Sequence, residues 1–340
     1  MSVQSLPSSD ARTAPTIPRA DYSVVIPTRN RPQLVGRLLA ALRTQSRPPK
    51  EVIVVDQSLA PSALPSSQEG LTGEGTESRL IYLHDPKIEG AAAARNAGLL
   101  LATTPYVIFL DDDALPQADC LELLVDSLER HPHLVAVGGL ISNYSPPPWP
   151  VRFFRRFFYL GRLRDERQAW YWRASASRTG DLLPTTKLNG GCMAFRREIL
   201  LEIGGFDRRY CGASVGEDVE ITQRLIRHTG RTDAVALVGG ALIHHASEGA
   251  WKNNDRAIEL ELLATHYWFK RNVPWNLANR SRFLWMCLGL FLWSAASAAR
   301  RRKVAPVLRF LTGLDSIRHD YRGCPFLKPQ QPPNRAQPAP

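Results

Sequence analysis

The sequence predicts an α/β protein with a mostly parallel central sheet, followed by a helical C-terminal region. Short apolar runs alternate with segments of helical periodicity up to about residue 250, which is typical of βαβ units. The strand runs are almost continuously apolar, which indicates a sheet covered on both faces. From about Trp251 onward, only helical patterns remain.

The strands are predicted in order along the chain. They are YSVVIPT, EVIVVDQS, RLIYLH, YVIFLDDD, HLVAVGGL and DAVALVGGALIHH. PQLVGRLLAALRTQ, EGAAAARNAGLLLA and ADCLELLVDSLERH carry helical patterns between them. Ligands of such sheets bind beyond the carboxyl ends of the strands. Pro27, Thr28, Asp56 and Asp111–Asp113 all fall at that edge.

Composition predicts one main domain between two tails. We expect a disordered N-terminal tail at residues 1–20 and a Pro-rich disordered tail at 323–340, because neither segment has hydrophobic periodicity. The α/β domain is expected at residues 21–250, with a basic-aromatic insertion at 142–186. A helical region is expected at 251–322, and membrane association is an open alternative for it.

The net charge of +11 is concentrated in two segments. Residues 152–178 hold eight arginines and two acids, and residues 262–314 hold nine Lys or Arg and no acid. Such segments suit an anionic membrane surface or nucleic acid. The aromatic residues cluster in apolar blocks without a recognised nucleic-acid-binding module, so we expect no nucleic-acid partner.

Cysteine usage and the N-terminus predict a cytoplasmic protein. The five cysteines include no CxxC pair, which argues against a zinc site and a disulfide framework. No apolar segment precedes Asp21, so no secretory signal peptide is predicted.

Three consecutive aspartates, Asp111 to Asp113, end the fourth strand. Because side chains alternate along a strand, Asp111 and Asp113 can point together while Asp112 points away. Two convergent carboxylates suit Mg²⁺ or Mn²⁺, and Mg²⁺ is commonly held by carboxylates together with substrate phosphates. The residues leave open a solvated loop whose acids cap the next helix. If a metal binds, Asp112 should tolerate Asn better than either neighbour.

Two common phosphate-binding motifs are absent. The chain has no GxxxxGK[ST] pattern and no GxGxxG pattern after a predicted strand. Their absence argues against P-loop ATPases and dinucleotide-dependent dehydrogenases.

Between Tyr22 and His245 the chain resembles the family 2 glycosyltransferases. The segments that carry the resemblance are SVVIPTRNRPQLVGRLLAALRTQS, EVIVVDQS, GAAAARNAGL, FLDDDALP and the run GGCMAFRRE, GGFD, GEDVEITQRL. The resemblance implies a Rossmann-like glycosyltransferase-A fold, a nucleotide-diphosphate sugar donor, a divalent cation and inversion at the anomeric carbon.

The resemblance also implies roles for single residues. FLDDDALP resembles the family's DxD metal motif, with Asp113 as the more direct ligand and Asp111 beside it. Asp218 corresponds to the catalytic base, and we group Glu217 with it as catalytic. His244, or else His245, falls where some members supply a further metal or diphosphate contact. The nucleotide-binding residues are expected to be Pro27, Thr28, Arg29, Asp56, Arg95, Asp111 and Asp112.

Two segments raise the question of a membrane. The segment VRFFRRFFYLGR places Phe153, Phe154, Phe157 and Phe158 on one helical face, with arginines on the opposite face. Such a helix can lie in a membrane interface, or it can form a lid that packs its phenylalanines on the domain. Phe283–Ala299 has no charged residue but only just reaches the spanning range of about 17–25 residues. We expect a membrane-associated or buried helix there rather than a span.

The predicted function is metal-dependent, inverting glycosyl transfer at the inner face of the cell membrane. The expected partners are a nucleotide-diphosphate sugar and a saccharide or lipid-linked acceptor. A sugar nucleotidyltransferase is a weaker alternative, because those enzymes resemble each other in a Gly- and Arg-rich loop after the first strand, and PTRNRP has no glycine. A non-catalytic binding or scaffold protein would be free to lose Glu217 and Asp218, which this chain keeps.

Overall fold

The computed structural model describes residues 20–62, 71–73, 76–144, 147–164, 178–211, 215–246, 256–321, 324 and 327. The two tails predicted to be disordered lie outside the described residues, except Ala20, Cys324 and Leu327. Residues 145–146 and 165–177 of the predicted insertion also lie outside them.

The described residues form one large mixed sheet with flanking helices. The strands are β1 (Tyr22–Thr28), β2 (Glu51–Asp56), β3 (Leu71–Gly73), β4 (Thr76–His84), β5 (Tyr106–Leu110), β6 (Ala114–Pro116), β7 (Ala136–Ile141), β8 (Leu182–Pro184), β9 (Cys192–Arg196) and β10 (Val235–His245). The helices are α1 (Pro32–Arg43), α2 (Ala91–Leu101), α3 (Cys120–Arg130), α4 (Trp149–Phe158), α5 (Arg197–Glu202), α6 (Glu217–Thr229), α7 (Ala257–Asn272), α8 (Leu277–Arg301) and α9 (Ala305–Arg318).

The strand order is β3-β4-β2-β1-β5-β9-β7-β10-β6, with β8 on β10. Strands β4, β2, β1 and β5 are parallel, as are β7 and β10. Strand β9 runs antiparallel between β5 and β7, and the short strands β6 and β8 run antiparallel to β10. The predicted α/β class and the helical C-terminal region are confirmed.

Residues of the central strands alternate between two hydrophobic clusters, one on each face of the sheet. In β1, Val24 and Ile26 belong to one cluster and Val25 to the other. Helix α2 approaches β1 closely at Gly98, where an added Cβ would lie 2.3 Å from Val25 Cγ1. The glycine in the Arg-Asn-x-Gly segment therefore serves close helix-strand packing.

A third hydrophobic cluster joins the C-terminal helices to the segment after α4. Its buried residues are Tyr159, Leu163, Leu262, Trp268, Phe269, Val273, Phe283, Met286, Cys287, Leu290 and Phe310. Helices α7, α8 and α9 therefore pack around an interior of their own, beside the sheet.

Candidate active site

The carboxyl ends of β1, β2 and β5 meet at one edge of the sheet. The register of β1 and β2 places Thr28 beside Asp56, and Asp111 follows β5 directly. Thr28 Oγ1 donates a hydrogen bond to Asp112 Oδ2 at 2.8 Å. Parallel pairing thus gathers side chains that are far apart in sequence at the edge where ligands bind in such sheets.

Asp111, Asp113 and His245 form a group that could hold a metal ion. One ligand atom from each lies within 4.8 Å of the other two. His245 Nε2 is 3.3 Å from Asp113 Oδ1. The histidine arrives because β10 pairs antiparallel with β6, which places His245 opposite Ala114, the residue after Asp113.

The third member of this group corrects the prediction for His244. Adjacent residues of a strand point to opposite sides, so only one of the two histidines can face the aspartates. His244 is exposed, whereas His245 is half-buried in the group. Asn143 fixes the backbone of His245, donating to its carbonyl at 2.8 Å and accepting from its N–H at 3.0 Å.

The charges of the group fit a divalent cation. Burial raises the pKa of Asp111, and the nearby Asp113 raises that pKa further, while Arg95 and His245 act against the rise. A bound cation would relieve the repulsion between the two carboxylates. Carboxylate oxygens suit both Mg²⁺ and Mn²⁺. The imidazole of His245 is a softer ligand, which favours Mn²⁺ over Mg²⁺.

Asp112 diverges from its neighbours but has partners of its own. Its carboxylate is buried and accepts from Thr28 and from Arg31 Nη1, the latter at 3.1 Å. The same Nη1 lies 3.7 Å from Asp113 Oδ2. An Asn at position 112 would lose the ion pair with Arg31, so the structure removes the reason to expect better tolerance there. Arg31 was missed by the sequence analysis, although PTRNRP places it just after β1.

Arg95 is buried at this edge, between Asp111 and Glu217. Its side chain is 1% exposed, and its guanidinium donates to Asp111 Oδ1 at 2.7 Å and to Glu217 Oε1 at 2.6 Å. Direct contact between Arg95 and the nucleotide stays a prediction, and the observed partners of its guanidinium are Asp111, Glu217 and the Gly190 carbonyl. Arg95 joins the metal-binding group to the Glu-Asp pair.

Glu217 and Asp218 occupy different environments at the start of α6. Glu217 is buried against Arg95, and burial raises its pKa to about 8, although Arg95 acts against the rise. Asp218 is half-buried, with Oδ2 accepting from the Gly190 N–H at 3.2 Å and Oδ1 from the Val219 N–H at 2.8 Å. The buried position of Glu217 beside Arg95 suits support of Asp218, and its assignment as catalytic stays a prediction.

The Asn-Gly-Gly segment before β9 connects these groups through its backbone. The Gly190 carbonyl accepts from Arg95 Nη2 at 3.2 Å, and the Gly191 carbonyl accepts from the Asp111 N–H at 3.2 Å. An added Cβ at Gly190 would lie 3.6 Å from Glu217 Oε1. The segment therefore fixes the carboxylates of both motifs relative to each other.

Asp56, Pro27 and Arg29 differ in what they can offer a nucleotide. Asp56 accepts hydrogen bonds from the Ser58 and Ser62 N–H groups and from Tyr82 Oη. Pro27 is buried within β1, and as a proline it has no backbone N–H to donate. Arg29 is exposed in the turn after β1.

Asp56→Asn should destabilise the protein in a pH-dependent way. Burial acts to raise the pKa of Asp56, but the bonds from Ser58, Ser62 and Tyr82 outweigh it and lower the pKa from 3.8 to about 2. Because the folded-state pKa lies below the unfolded one, this contribution is complete above about pH 5 and disappears as the pH falls through about 2. We expect the variant to lose about 2 kcal/mol near neutral pH.

Urea unfolding at neutral pH and at about pH 3 tests this pH dependence. Asp119→Asn is a matched control, because Asp119 is exposed and its side chain makes no capping hydrogen bond. A stability loss in Asp56→Asn that is the same at both pH values would contradict the assignment.

Known glycosyltransferases are similar to this chain in sequence. A sequence profile described as glycosyl transferase family 2 matches residues 23–204. The pre-mycofactocin glycosyltransferase of Mycobacterium tuberculosis is 31% identical over 223 residues, covering 64% of this chain and 42% of that protein. The glucosyl-dolichyl phosphate glucuronosyltransferase of Haloferax volcanii is 32% identical over 132 residues, covering 37% and 38% of the two chains. The chain thus spans less than half the length of either relative.

A solved structure shares the arrangement of strands and helices. The mannosyltransferase PcManGT from Pyrobaculum calidifontis, in complex with GDP-Man and Mn²⁺, matches with a TM-score of 0.53 at 20% identity. The match covers 94% of this chain and 86% of that one.

Proposed function

Because this chain belongs to glycosyl transferase family 2 and has the glycosyltransferase-A fold, we propose that it transfers a sugar from a nucleotide-diphosphate sugar to an acceptor hydroxyl with inversion at the anomeric carbon. The observation that carries the proposal is the buried bridge of Arg95, which joins Asp111 to Glu217 beside Asp218. This bridge connects a group suited to a metal with a carboxylate suited to act as a base.

Asp218 is proposed to accept the proton of the acceptor hydroxyl. As that proton moves to the carboxylate, the hydroxyl oxygen forms a bond to the anomeric carbon, and the bond to the nucleotide diphosphate breaks on the opposite side. The N–H groups of Gly190 and Val219 hold the carboxylate in one orientation, which supports its use as a positioned base. No covalent enzyme intermediate is needed.

Asp111, Asp113 and His245 are proposed to hold the divalent cation, Mg²⁺ or Mn²⁺. When bound there, the cation would neutralise charge on the departing diphosphate as a Lewis acid. Arg31, whose side chain is 49% exposed, adds a positive charge beside Asp112 and Asp113 that suits phosphate oxygens. Thr28 and Asp56, beside each other at the sheet edge, are proposed to contact the nucleoside.

We also propose a saccharide or lipid-linked acceptor at the inner face of the cell membrane. The name of the Haloferax relative gives glucosyl-dolichyl phosphate as its substrate, which supports an acceptor of this class. Residues 21–250 would form the catalytic domain, and the helical region at 251–322 would associate with the membrane. The exposed apolar residues of that region support this division.

Removal of divalent metal tests the proposed mechanism. In transfer and donor-hydrolysis assays with a panel of nucleotide-diphosphate sugars, we expect EDTA to reduce turnover by more than about tenfold, because the metal carries charge stabilisation of several kcal/mol. Readdition of Mn²⁺ should restore activity. Full activity in EDTA, with no metal found in the protein by elemental analysis, would contradict the proposal.

A further inference from the structure

Helix α4 packs against α8 mainly through Phe154 and Phe158. The ring centroids of Phe154 and Trp293 lie 5.0 Å apart, and those of Phe158 and Trp285 lie 5.3 Å apart. The helices meet closely at Gly289, where an added Cβ would lie 2.4 Å from Phe158 Cγ. The four phenylalanines predicted to share one face are therefore divided between this contact and a second, exposed row.

The exposed row of α4 is aromatic along its whole length. Trp149, Phe153 and Phe157 are spaced four residues apart, so they lie along one side of the helix. Their rings stack in sequence at centroid distances of 5.7 and 6.2 Å. Trp149 is 71% exposed, and the other two are also exposed. About half or more of the surface of each of these three residues therefore remains exposed in the described part of the chain.

A row of leucines on α8 continues this surface. Leu284, Leu288 and Leu292 are again four residues apart and exposed, with Leu284 at 66%. Trp285 lies next to Leu284 and one turn before Leu288, and its ring centroid is 5.3 Å from that of Phe157. Its Nε1 also donates to the Phe157 carbonyl at 2.9 Å. Trp285 thus joins the two rows into one surface, called here the apolar face: Trp149, Phe153, Phe157, Leu284, Leu288 and Leu292.

Positive charge surrounds the apolar face. Residues 147–164 and 273–304 contain no acid. Arg152 and Arg156 are exposed on α4, and exposed cations mark both ends of α8 at Arg280 and at Arg300–Lys303. Apolar side chains with cations at their margin complement the acyl chains and anionic head groups of a lipid surface.

We propose that the apolar face docks the protein on an anionic membrane surface, with α4 and α8 lying in the interface. The apolar face is thus the part of the chain that would contact the membrane in the proposed function, on which this assignment rests. Docking itself does not depend on catalytic activity. The occupant is an anionic lipid bilayer, because the missing acids and the surrounding arginines match its charge.

The packing of α8 favours a helix that lies on the membrane over one that crosses it. Among the described residues, α8 is the one helix long and apolar enough to span, and 28% of its most apolar window is buried. Its opposite side, with Met286 and Leu290, packs into the cluster shared with α7 and α9. Helix α7 contains the buried Glu259, and its Oε2 is 3.5 Å from Nη1 of Arg309 on α9. A spanning α8 would bring these charges to the hydrocarbon, at a high energetic cost.

Co-sedimentation of the full chain with vesicles tests the docking. We expect binding to vesicles of phosphatidylglycerol and phosphatidylcholine, and binding weaker by about tenfold or more to pure phosphatidylcholine. Phe153→Ser combined with Leu288→Ser, one change on each helix, should weaken binding to the anionic vesicles by about tenfold or more, because both side chains leave the acyl region. Leu100→Ser is the matched control, an exposed leucine on α2 outside the face.

Binding of a nucleoside diphosphate in the presence of Mn²⁺ is measured on the same proteins. It distinguishes a loss of membrane docking from a loss of the active site. The double variant should retain nucleoside-diphosphate binding, and high salt should release the wild-type protein from vesicles. Equal vesicle binding by the double variant and the wild type would overturn the proposal. Failure of the wild type to bind vesicles would also overturn it, as would a double variant whose sole defect is loss of a dimer. Retention of the wild type on vesicles at both high salt and alkaline pH would indicate a membrane-spanning helix and would overturn the proposal too.

Discussion

Asp218→Asn should reduce the turnover of sugar transfer by about 10²- to 10⁴-fold, the range for loss of a positioned general base. The Asn side chain has one oxygen, which can accept a hydrogen bond from either the Val219 N–H or the Gly190 N–H. The local fold should therefore survive. It cannot accept the proton of the acceptor hydroxyl. The KM for the donor should therefore change little while kcat falls.

Steady-state kinetics with varied donor, together with nucleoside-diphosphate titration in Mn²⁺, distinguishes this role from a structural one. Asp119→Asn is the matched control, since it makes the same change at an exposed position at the start of α3. An Asp218→Asn enzyme with wild-type kcat would show that another group accepts the proton. A loss confined to donor binding would place Asp218 in the donor site instead.

Arg95→Leu should destabilise the fold by about 3–5 kcal/mol, the cost of leaving a partner charge buried and uncompensated. Arg95 is buried and joins Asp111 to Glu217, so its removal leaves the buried Glu217 and the half-buried Asp111 without their common countercharge. Their repulsion should also disturb the neighbouring Asp113 and Asp218, and so reduce transfer. Lys at position 95 has one ammonium group and should restore only part of the stability.

Urea unfolding of single and double variants tests the bridge. In the Arg95→Leu background, Glu217→Gln should recover part of the lost stability, because it removes one of the orphaned carboxylates. In the wild-type background, Glu217→Gln breaks the pair but also removes an acid whose raised pKa of about 8 disfavours the fold at neutral pH. The change should therefore gain clearly less stability there than in the Arg95→Leu background. Additive effects of the two changes would show that Arg95 and Glu217 do not act together, which would remove the physical link between the two motifs.

The local pattern of the sequence predicted the elements and the location of the site. Continuous apolar runs such as VVIP and YVIFL are long enough to identify buried strands, and the polar residues that end them identify the edge. Strand β9 was less evident, because CMAFR is a short run inside a glycine-rich segment. Its antiparallel position between β5 and β7 depends on pairings between residues distant in sequence.

The neighbours of each site residue could not be predicted in the same way. Arg95 sits on an alanine-rich helix that gives no sign of burial, yet it meets Glu217, 122 residues later. Likewise, nothing local distinguishes His244 from His245. The pairing of β10 with β6 makes that choice, because one residue of register exchanges the two sides of a strand.

The sequence by itself determined the α/β class, the three aspartates at a strand end and the Glu-Asp pair at a helix start. Each of these depends on residues within one or two turns of chain, where hydrophobic periodicity acts. Tertiary structure alone decided that His245 faces the aspartates and that Arg95 is a buried bridge. It alone also divided the phenylalanines of α4 between packing and exposure. These outcomes depend on which distant surfaces cover a side chain, and packing sets that only when the whole chain has folded.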